Sequence, residues 1–294
     1  MDLSIEEFAA NVGQDDPVAV VGLGTRRVGP SDVRIVHAPV GVEWVQPAEM
    51  TIKCGAGTPV DHVDAALAEH GQQVAIPSGG TVGGALATGH SGIRRLAYGA
   101  LRDVLLQTHY VNSAGEVVKA GGPTVKNVSG FDLCRLLVGS RGALGFMGDV
   151  ILRTRPKASH EQWFTSEADP WQLLGSVYRP TSILWNGATT WVLLEGEQVD
   201  IDEQASRFSL VSTDATPELP TAARWSMPPS ELESLRVATP GSFVAEIGVG
   251  IVHHTTPRPT STPDPVQLDL HRRIKAEFDP TGRLNPGVEL LSAS

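Results

Sequence analysis

Three segments rich in glycine and hydroxyl side chains are the strongest candidates for ligand chemistry in this 294-residue chain. They are residues 22–25 (GLGT), 77–92 (PSGGTVGGALATGHSG) and 126–132 (KNVSGFD). Glycine lets a backbone approach a ligand closely, and successive backbone N–H groups in a turn bind anions. Segment 22–25 is not a Rossmann phosphate loop, because the third glycine is missing and Gly29–Pro30 interrupt any following helix. Taken alone, it is either an ordinary turn or an anion-binding loop.

The elements that position these segments are short and mixed, which predicts an α+β fold. The apolar spacing and the Gly/Pro breaks of the first half predict a helix at 3–12, strands around 17–21, 34–39, 43–47 and 49–57, a helix at 59–71, a hairpin turning at 112–115, a helix at 131–138 and a strand ending at 156. In the second half they predict a strand–turn–strand over 182–197, a helix at 198–209, an irregular stretch over 212–240, a single strand over 243–254 and a helix at 266–277.

Glycine and charge divide the chain into two unlike halves. Of 31 glycines, 23 lie between Gly13 and Gly148, and residues 1–157 are close to neutral at −1, whereas residues 158–294 carry −9. A net charge of −10 without a basic run argues against nucleic acid or an anionic membrane as a partner. The sequence shows no apolar stretch of membrane-spanning length and no secretory leader, so a cytoplasmic protein is expected. Two cysteines are too few for a four-thiolate iron–sulfur cluster.

Five motifs in order resemble the FAD-binding (PCMH-type) domain of the vanillyl-alcohol-oxidase superfamily. Four are GLGT, PSGGTVGGALATGHSGIRRLAYGALRDVLL, VNSAGEVVKAGG and KNVSGFDLCRLLVGSRGALGF, and the fifth is the tail HRRIKAEFDPTGRLNPG. Within that superfamily they are similar to the E-type subunit of glycolate oxidase. The resemblance is strong over about residues 15–157, good over 270–290 and vague between them. It implies a two-lobed FAD-binding domain over 1–157 (lobes 1–76 and 77–157), a small α/β cap over 158–254, and a linker and helix over 255–294 that return to the FAD domain.

The resemblance also implies roles for individual residues. The first loop would hold the FAD pyrophosphate, the second would cover the pyrophosphate and the isoalloxazine, and the third would lie along the other side of the cofactor. The residues are, in that order, Gly22, Leu23, Gly24 and Thr25; Thr81, Gly83, Gly84, Ser91 and Gly92; and Asn127, Val128, Gly130 and Phe131. Relatives that attach FAD covalently use a His in the first loop or a Cys in the second. Neither is present here, so non-covalent FAD is expected.

Residues for catalysis are harder to identify. An alcohol-oxidising flavoenzyme needs a base for the substrate hydroxyl and a cation for a substrate carboxylate. The catalytic relatives carry E-H-G-[IV]-G, and here Ile247 stands where that histidine would be. In a single strand over 243–254, Glu246 lies about 26 Å from His254, and His253 points to the opposite face. The remaining candidates are weak: His90, His253 and Arg94, with no metal site.

The sequence therefore leaves three functional hypotheses. The first is an FAD-binding subunit of a glycolate-type 2-hydroxy-acid dehydrogenase complex that passes electrons to a catalytic FAD subunit and an iron–sulfur subunit. The second is a self-sufficient FAD oxidoreductase acting on a small alcohol or a 2-hydroxy acid such as glycolate. The third is a degenerate scaffold that has lost FAD.

Overall fold

The computed structural model describes residues 3–25, 33–123, 132–239, 241–258 and 264–288. Its helices are α1 (Ile5–Val12), α2 (Val60–Ala68), α3 (Val82–Thr88), α4 (Arg95–Tyr98), α5 (Leu133–Leu137), α6 (Pro170–Ser176), α7 (Gln198–Arg207) and α8 (Pro265–Phe278). Short 3₁₀ helices span Pro47–Glu49, Leu101–Asp103 and Pro229–Val237. Its strands are β1 (Val18–Val20), β2 (Arg34–Val36), β3 (Val42–Gln46), β4 (Thr51–Gly55), β5 (Gln72–Val74), β6 (Leu105–Val111), β7 (Val117–Gly121), β8 (Phe146–Pro156), β9 (His160–Ser166), β10 (Ser182–Trp185), β11 (Thr190–Gly196), β12 (Val211–Thr213), β13 (Ala223–Ser226), β14 (Phe243–Glu246) and β15 (Ile251–His254). This mixture confirms the predicted α+β class.

Local signals explain why the first helices form where they do. Ser4 and Glu7 build a reciprocal capping box at the start of α1, so two backbone N–H groups that lack helical partners are satisfied by side chains. Phe8 and Val12 then bury one face of that helix completely. In α2 the apolar residues Val60, Val63 and Leu67 are fully buried. The helices predicted over 3–12 and 59–71 are therefore confirmed, with shorter ends.

Unit 1 is built from residues 1–92, 100–157 and 262–292. Its larger sheet has six strands, with β3-β4-β8-β6-β7 in antiparallel order and β5 paired to the far end of β8. The long strand β8 is central, and it is buried along most of its length. A separate two-stranded parallel sheet joins β1 to β2. The hairpin predicted to turn at residues 112–115 is confirmed, since β6 pairs with β7 on either side of it.

Unit 2 consists of residues 93–99 and 158–261. Its seven-stranded sheet has the order β12-β9-β11-β10-β14-β15-β13, and neighbouring strands in it are antiparallel. One face packs against α6, α7 and the 3₁₀ helix 229–237 through a cluster that includes Trp185 and Phe243. The domain bounds inferred from the family resemblance stay predictions.

Two predictions for unit 2 are wrong. Residues 243–254 are not one strand: they form β14 and β15, joined by a tight turn in which Gly248 and Gly250 have φ values of +79° and +86°. Glycine adopts such angles readily, so the chain reverses there. The segment 212–240 is also more ordered than predicted, because it contains β13 and the 3₁₀ helix 229–237. No helix among the described residues is long and apolar enough to cross a bilayer.

Candidate functional site

Unit 1 contains a cavity of about 620 Å³ that collects most of the described residues predicted to bind the cofactor. Six segments line it: the end of β1 with the loop after it, Ala38 after β2, the residues directly after β4, α3 with its cap and His90, the start of β8 with the turn before it, and the turn after α8. The lining residues include Gly22, Leu23, Gly24, Thr25, Ala56, Thr81, Gly83, Gly84, His90, Arg141, Gly142 and Asn285. The cavity therefore brings together two of the three predicted loops.

The loop at residues 22–25 supplies hydrogen-bond donors to this cavity. It begins where Val21 ends the pairing of β1 with β2, its N–H donating to the Val36 carbonyl at 3.2 Å. Within the described part of the chain, no hydrogen bond uses the backbone N–H groups of residues 22–25. Unpaired N–H groups in a turn create a positive partial charge that suits a phosphate. The arrangement favours an anion-binding loop over an ordinary turn.

Residues 81–84, the cap and first turn of α3, contribute shape rather than donors. The segment 77–92, which the sequence suggested was a loop, is thus helical over Val82–Thr88. The Thr81 hydroxyl caps α3 by accepting from the Gly84 N–H at 3.1 Å, and the Gly83 N–H donates to the Ala56 carbonyl at 2.7 Å. A Cβ on Gly83 would lie 2.8 Å from that same carbonyl oxygen. Glycine is therefore required at this position because α3 packs directly on the backbone of residue 56, and the packed surface forms a floor of the cavity.

Other predicted cofactor residues lie elsewhere or outside the described chain. Ser91 and Gly92 do not line the cavity, and the Ser91 hydroxyl instead accepts a hydrogen bond from the Leu101 N–H at 3.0 Å. His90 does line it. The third predicted group lies outside the described residues: Asn127, Val128, Gly130 and Phe131.

Asn285 is a cavity residue that sequence reasoning did not assign. Its Oδ1 accepts from the Val20 N–H at 3.2 Å, and its Nδ2 donates to the Arg141 carbonyl at 2.7 Å. Its own N–H donates to the Val18 carbonyl at 2.9 Å. One side chain thus ties the turn after α8 to both β1 and the turn before β8. The NPG motif in the tail was the available signal, but it indicated only that the tail returns to the FAD domain.

Both cysteines are buried and neither lines the cavity. Burial raises the pKa of Cys54 to about 12, and Asp149 contributes to that rise. Burial also raises the pKa of Cys134 to about 11, with Asp132 contributing. A thiol with such a pKa is a poor nucleophile at neutral pH.

In unit 2, the sheet face opposite the helices carries charged side chains. By strand register, this polar face includes Glu161, Glu195, Arg224, Glu246 and His253. Side chains alternate between the two faces of a strand, so these residues point away from the apolar cluster.

Arg94 is held by carboxylates at one end of the polar face. Its guanidinium forms ion pairs with Glu161 at 2.9 Å and with Glu195, and the Tyr98 hydroxyl also donates to Glu195. Burial alone would lower the pKa of Arg94, but the hydrogen bond to Glu161 and the charge of Glu195 raise it overall. With two acidic partners, Arg94 is better suited to attaching the 93–99 segment to the sheet than to binding a substrate anion.

Glu246 and His253 form a pair at the other end of the polar face. The hairpin places Glu246 opposite Ile251, and Glu246 Oε1 lies 2.9 Å from His253 Nε2. The sequence-based placement of His253 on the opposite face from Glu246 is therefore wrong, because that placement assumed an unbroken strand. The Glu246 side chain is 2 % exposed, and its Oε2 has no hydrogen-bond partner among the described residues.

Arg224 lies next to this pair. It is directly opposite His253 in the β13–β15 register, and opposed side chains on one face are about 5 Å apart at Cβ. Burial lowers the pKa of Arg224, the charge of Glu246 opposes that effect, and the charge of Arg95 adds to it. Within the described residues, no hydrogen bond or ion pair uses the side chain of Arg224 or Arg95.

The two neighbouring positions have structural roles. His254 points to the apolar face, where its ring stacks on Trp225 at 4.0 Å and its Nδ1 accepts from the Thr256 N–H. Burial lowers the pKa of His254. Ile247 is fully buried in the apolar cluster, and its N–H donates to the Ile183 carbonyl at 2.9 Å. The position at which catalytic relatives carry a histidine is thus part of the core here.

Two family models match the chain. The FAD binding domain matches residues 8–121, and the C-terminal domain of FAD linked oxidases matches residues 227–288. The first includes the loops at 22–25 and 81–84, and the second includes Glu246, His253 and Asn285. The matches confirm FAD as the cofactor and the predicted family resemblance.

Individual relatives extend these matches. Glycolate oxidase subunit GlcE of Escherichia coli (strain K12) is 28% identical over 298 residues, covering 84% of this chain and 84% of that protein. D-lactate dehydrogenase of Archaeoglobus fulgidus is 38% identical over 107 residues, which is 35% of this chain and 24% of that protein. Glycolate oxidase subunit GlcD of Bacillus subtilis (strain 168) is 39% identical over 77 residues, 26% of this chain and 16% of that protein.

The fold itself has solved counterparts. A structure of alkyldihydroxyacetonephosphate synthase superposes with a TM-score of 0.70 over 98% of this chain and 76% of that one, at 14% identity. At that identity the similarity shows the shared fold alone.

Proposed function

We infer that this chain, which belongs to the FAD-linked oxidases, is the FAD-binding subunit of a 2-hydroxy-acid dehydrogenase complex of the glycolate type. The observation that carries the proposal is the similarity to a glycolate oxidase subunit over 84% of both chains. The chain is an FAD-dependent oxidoreductase, and we propose that it passes electrons to a catalytic FAD subunit and an iron–sulfur subunit. We also propose that the FAD domain, the cap and the returning tail have the bounds 1–157, 158–254 and 255–294.

The residues of unit 1 fit an FAD that is held without a covalent bond. Residues 22–25 offer unpaired N–H groups for the pyrophosphate, and Thr81, Gly83 and Gly84 form a closely packed surface beside them. Neither cysteine lines the cavity, and the thiol pKa values are raised by burial. When bound, FAD supplies the two-electron redox chemistry, while the chain supplies binding and orientation.

A second candidate is a self-sufficient oxidoreductase for a small hydroxy acid. The Glu246–His253 pair beside Arg224 favours it, because that group combines an imidazole with a nearby cation in one place. Against it stands Ile247, which occupies the core at the position where catalytic relatives have a histidine.

An anaerobic spectrum with and without partners separates the two. We expect the purified full-length chain to be yellow, and glycolate or lactate to bleach its flavin only when a catalytic subunit of the GlcD type is present. Bleaching of the isolated chain would support the self-sufficient enzyme instead. A colourless protein that takes up no FAD on reconstitution would exclude both and leave a scaffold. Flavin released by acid precipitation of the protein tests the non-covalent attachment.

A further inference from the structure

The polar face of unit 2 carries two arginines and a buried acid–imidazole pair that the cofactor site does not use. The half of the chain that contributes most of this unit has a net charge of −9, with 9 basic and 18 acidic residues. In such surroundings a cation ordinarily finds a carboxylate, as Arg94 and Arg236 do in this unit. Neither Arg224 nor Arg95 forms an ion pair within the described residues, although the charge of Glu246 acts on Arg224. A half-buried guanidinium with no direct hydrogen bond or ion pair is therefore an unusual feature here.

A guanidinium is well suited to one ligand class in particular. Its planar fork matches the two oxygens of a carboxylate, and such charge-assisted pairs are stronger than neutral hydrogen bonds. Arg224 is positioned by the β13–β15 pairing, and the nearby Arg95 adds a second positive charge. A small monocarboxylate would therefore be a ligand for Arg224, and the charge of Arg95 would add to its attraction.

His253 adds a second, directional contact. When Glu246 Oε1 accepts from the Nε2–H of the neutral imidazole, Nδ1 carries the lone pair and can accept a hydrogen bond. No hydrogen bond within the described residues uses that Nδ1. The tautomer assignment follows from the partner of Nε2, as it does wherever a carboxylate orients a histidine. A hydrogen-bond acceptor at His253 Nδ1, next to an arginine that can bind a carboxylate, suits a carboxylic acid with an α-hydroxyl group.

We propose that Arg224, with Arg95 near it, binds the carboxylate of a small 2-hydroxy acid, and that His253, oriented by Glu246, accepts a hydrogen bond from the hydroxyl group of that acid. The substrate class rests on the proposed function. The roles of Arg224 and Glu246 go beyond that function, and His253, a candidate from the sequence, is here paired with Glu246, which the sequence pattern had placed on the opposite face.

Two ligands that differ only in the hydroxyl group test the proposal. 2-Hydroxy-2-methylpropanoate keeps the α-hydroxyl but has no hydrogen on the α-carbon, so it can bind without being oxidised. 2-Methylpropanoate lacks the hydroxyl. Both are titrated into the FAD-loaded full chain by isothermal calorimetry, under conditions in which the flavin stays oxidised.

We expect the hydroxy acid to bind about 2- to 10-fold more tightly than the plain acid, as one neutral hydrogen bond allows. Arg224→Gln weakens both acids by about 10- to 100-fold, the range for a hydrogen bond to a charged group. Arg224→Lys, which keeps the charge and removes the fork, gives an intermediate loss. His253→Gln and Glu246→Gln each weaken the hydroxy acid alone, so that the two acids bind about equally.

Matched controls use exposed residues elsewhere in unit 2. Arg207 lies on α7, which packs on the opposite face of the sheet, and His160 is the first residue of β9, far along the sheet from β13 and β15. Arg207→Gln and His160→Gln are expected to bind both acids as the wild type does. Far-UV circular dichroism and thermal melting show whether each variant folds, and only folded variants are compared.

Three results would overturn the proposal: no binding of either acid to the wild type, equal binding of the two acids, or unchanged binding in Arg224→Gln. These outcomes are independent of the proposed function. If glycolate bleaches the flavin while Arg224→Gln binds both acids normally, the proposed function is supported and this binding site is wrong. If the acids bind and this binding depends on Arg224, but the flavin is not reduced in any complex, the binding site is supported and the proposed function is wrong.

Discussion

The two units use opposite means to present a surface to a ligand. In unit 1, residues 22–25 offer backbone N–H groups, and Gly83 is required by close packing on the Ala56 carbonyl. In unit 2, the polar face carries ionisable side chains on regular strands, among buried apolar ones such as Leu184 and Ile251, with Glu246 and His253 in contact at 2.9 Å. The charge of the two halves of the sequence follows the same division, at −1 and −9.

This difference teaches where each function can change. A surface built from backbone is sensitive to any added side chain, whereas a polar sheet face can exchange one side chain for another without altering the strands beneath it. The cofactor site is therefore expected to tolerate few substitutions, and the polar face to determine the ligand.

The largest effect is expected from Gly83→Val. The new Cβ would meet the Ala56 carbonyl oxygen at 2.8 Å, and overpacking of this kind costs about 1–3 kcal/mol when the neighbour is fixed. Because α3 also forms the cavity floor, we expect FAD affinity to fall by about 100-fold and the protein to lose flavin on purification. The flavin-to-protein absorbance ratio measures this.

Gly122→Val is the matched control for Gly83→Val. A Cβ at Gly122 meets nothing within 4 Å, so this variant should keep its FAD. Retained flavin in a folded Gly83→Val protein would contradict the role given to the α3 packing.

The site residues of the two units also differ in how well they could be predicted from the sequence. Glycine clusters are local signals, so the segments 22–25 and 77–92 stood out in the sequence, but their cofactor roles came from the family resemblance. The contact between Glu246 and His253 was missed because residues 247–250 continue an apolar strand pattern, and only the positive φ values at Gly248 and Gly250 turn it into a hairpin. The position of Arg224 depends on β13, which lies in a segment that looked irregular. The bond between Val20 and Asn285 joins residues 265 positions apart, a separation at which periodicity carries no information.

The next largest effect is expected from Gly250→Ala in unit 2. Its φ is +86°, and an added Cβ would lie 2.1 Å from the Met227 carbonyl oxygen. Steric overlap and a disfavoured backbone angle together should cost about 2–4 kcal/mol of unfolding free energy. Urea titration followed by tryptophan fluorescence measures the loss.

The FAD affinity of the folded Gly250→Ala protein should stay unchanged, which separates a structural glycine from one at the cofactor site. Gly175→Ala serves as the control, because Gly175 lies in α6 with nothing within 4 Å and alanine favours a helix by about 0.5–1 kcal/mol. If Gly250→Ala instead lost FAD while remaining fully folded, the contrast between the units would not hold.

Asn285→Ala tests whether the backbone-built site depends on one side chain. The substitution removes two side-chain hydrogen bonds, to the Val20 N–H and the Arg141 carbonyl, each worth about 1 kcal/mol. We expect a loss of about 2 kcal/mol in unfolding free energy and a measurable weakening of FAD binding, since the loop at 22–25 follows Val20 closely. Flavin fluorescence during urea titration reports both.

Asn285→Asp keeps an acceptor for the Val20 N–H, but it replaces the donor to the Arg141 carbonyl by a second acceptor and adds a negative charge to the cavity. If the loop at 22–25 binds the pyrophosphate, this variant should lose more FAD affinity than Asn285→Ala. Equal FAD affinities for the two variants would contradict a phosphate-binding role for the loop.

The smallest effect concerns the caps of two helices. Asp169 caps α6 in unit 2 by accepting from the N–H groups of Trp171 and Gln172, and Arg236 pairs with it. Burial opposes the shift, but the hydrogen bond from Arg236 and the two backbone N–H groups lower the pKa of Asp169. In unit 1 the corresponding cap of α3 is Thr81, which does not titrate.

A carboxyl group whose pKa is lower in the folded than in the unfolded state stabilises the fold above its unfolded pKa, and this contribution is lost as the pH falls through the folded value. Asparagine caps a helix about as well as aspartate, so Asp169→Asn removes the charge and keeps the cap. We expect this variant to be less stable than the wild type by a few tenths of a kcal/mol at pH 7, and the difference to shrink as the pH is lowered below about 4.

Thr81→Ser, a conservative change of the non-titrating cap, should show a difference in unfolding free energy from the wild type that does not vary with pH. If the difference in unfolding free energy between Asp169→Asn and the wild type did not vary with pH, the charge of Asp169 would not contribute to stability. Only its hydrogen bonds as a helix cap would then matter, as for Thr81 in unit 1.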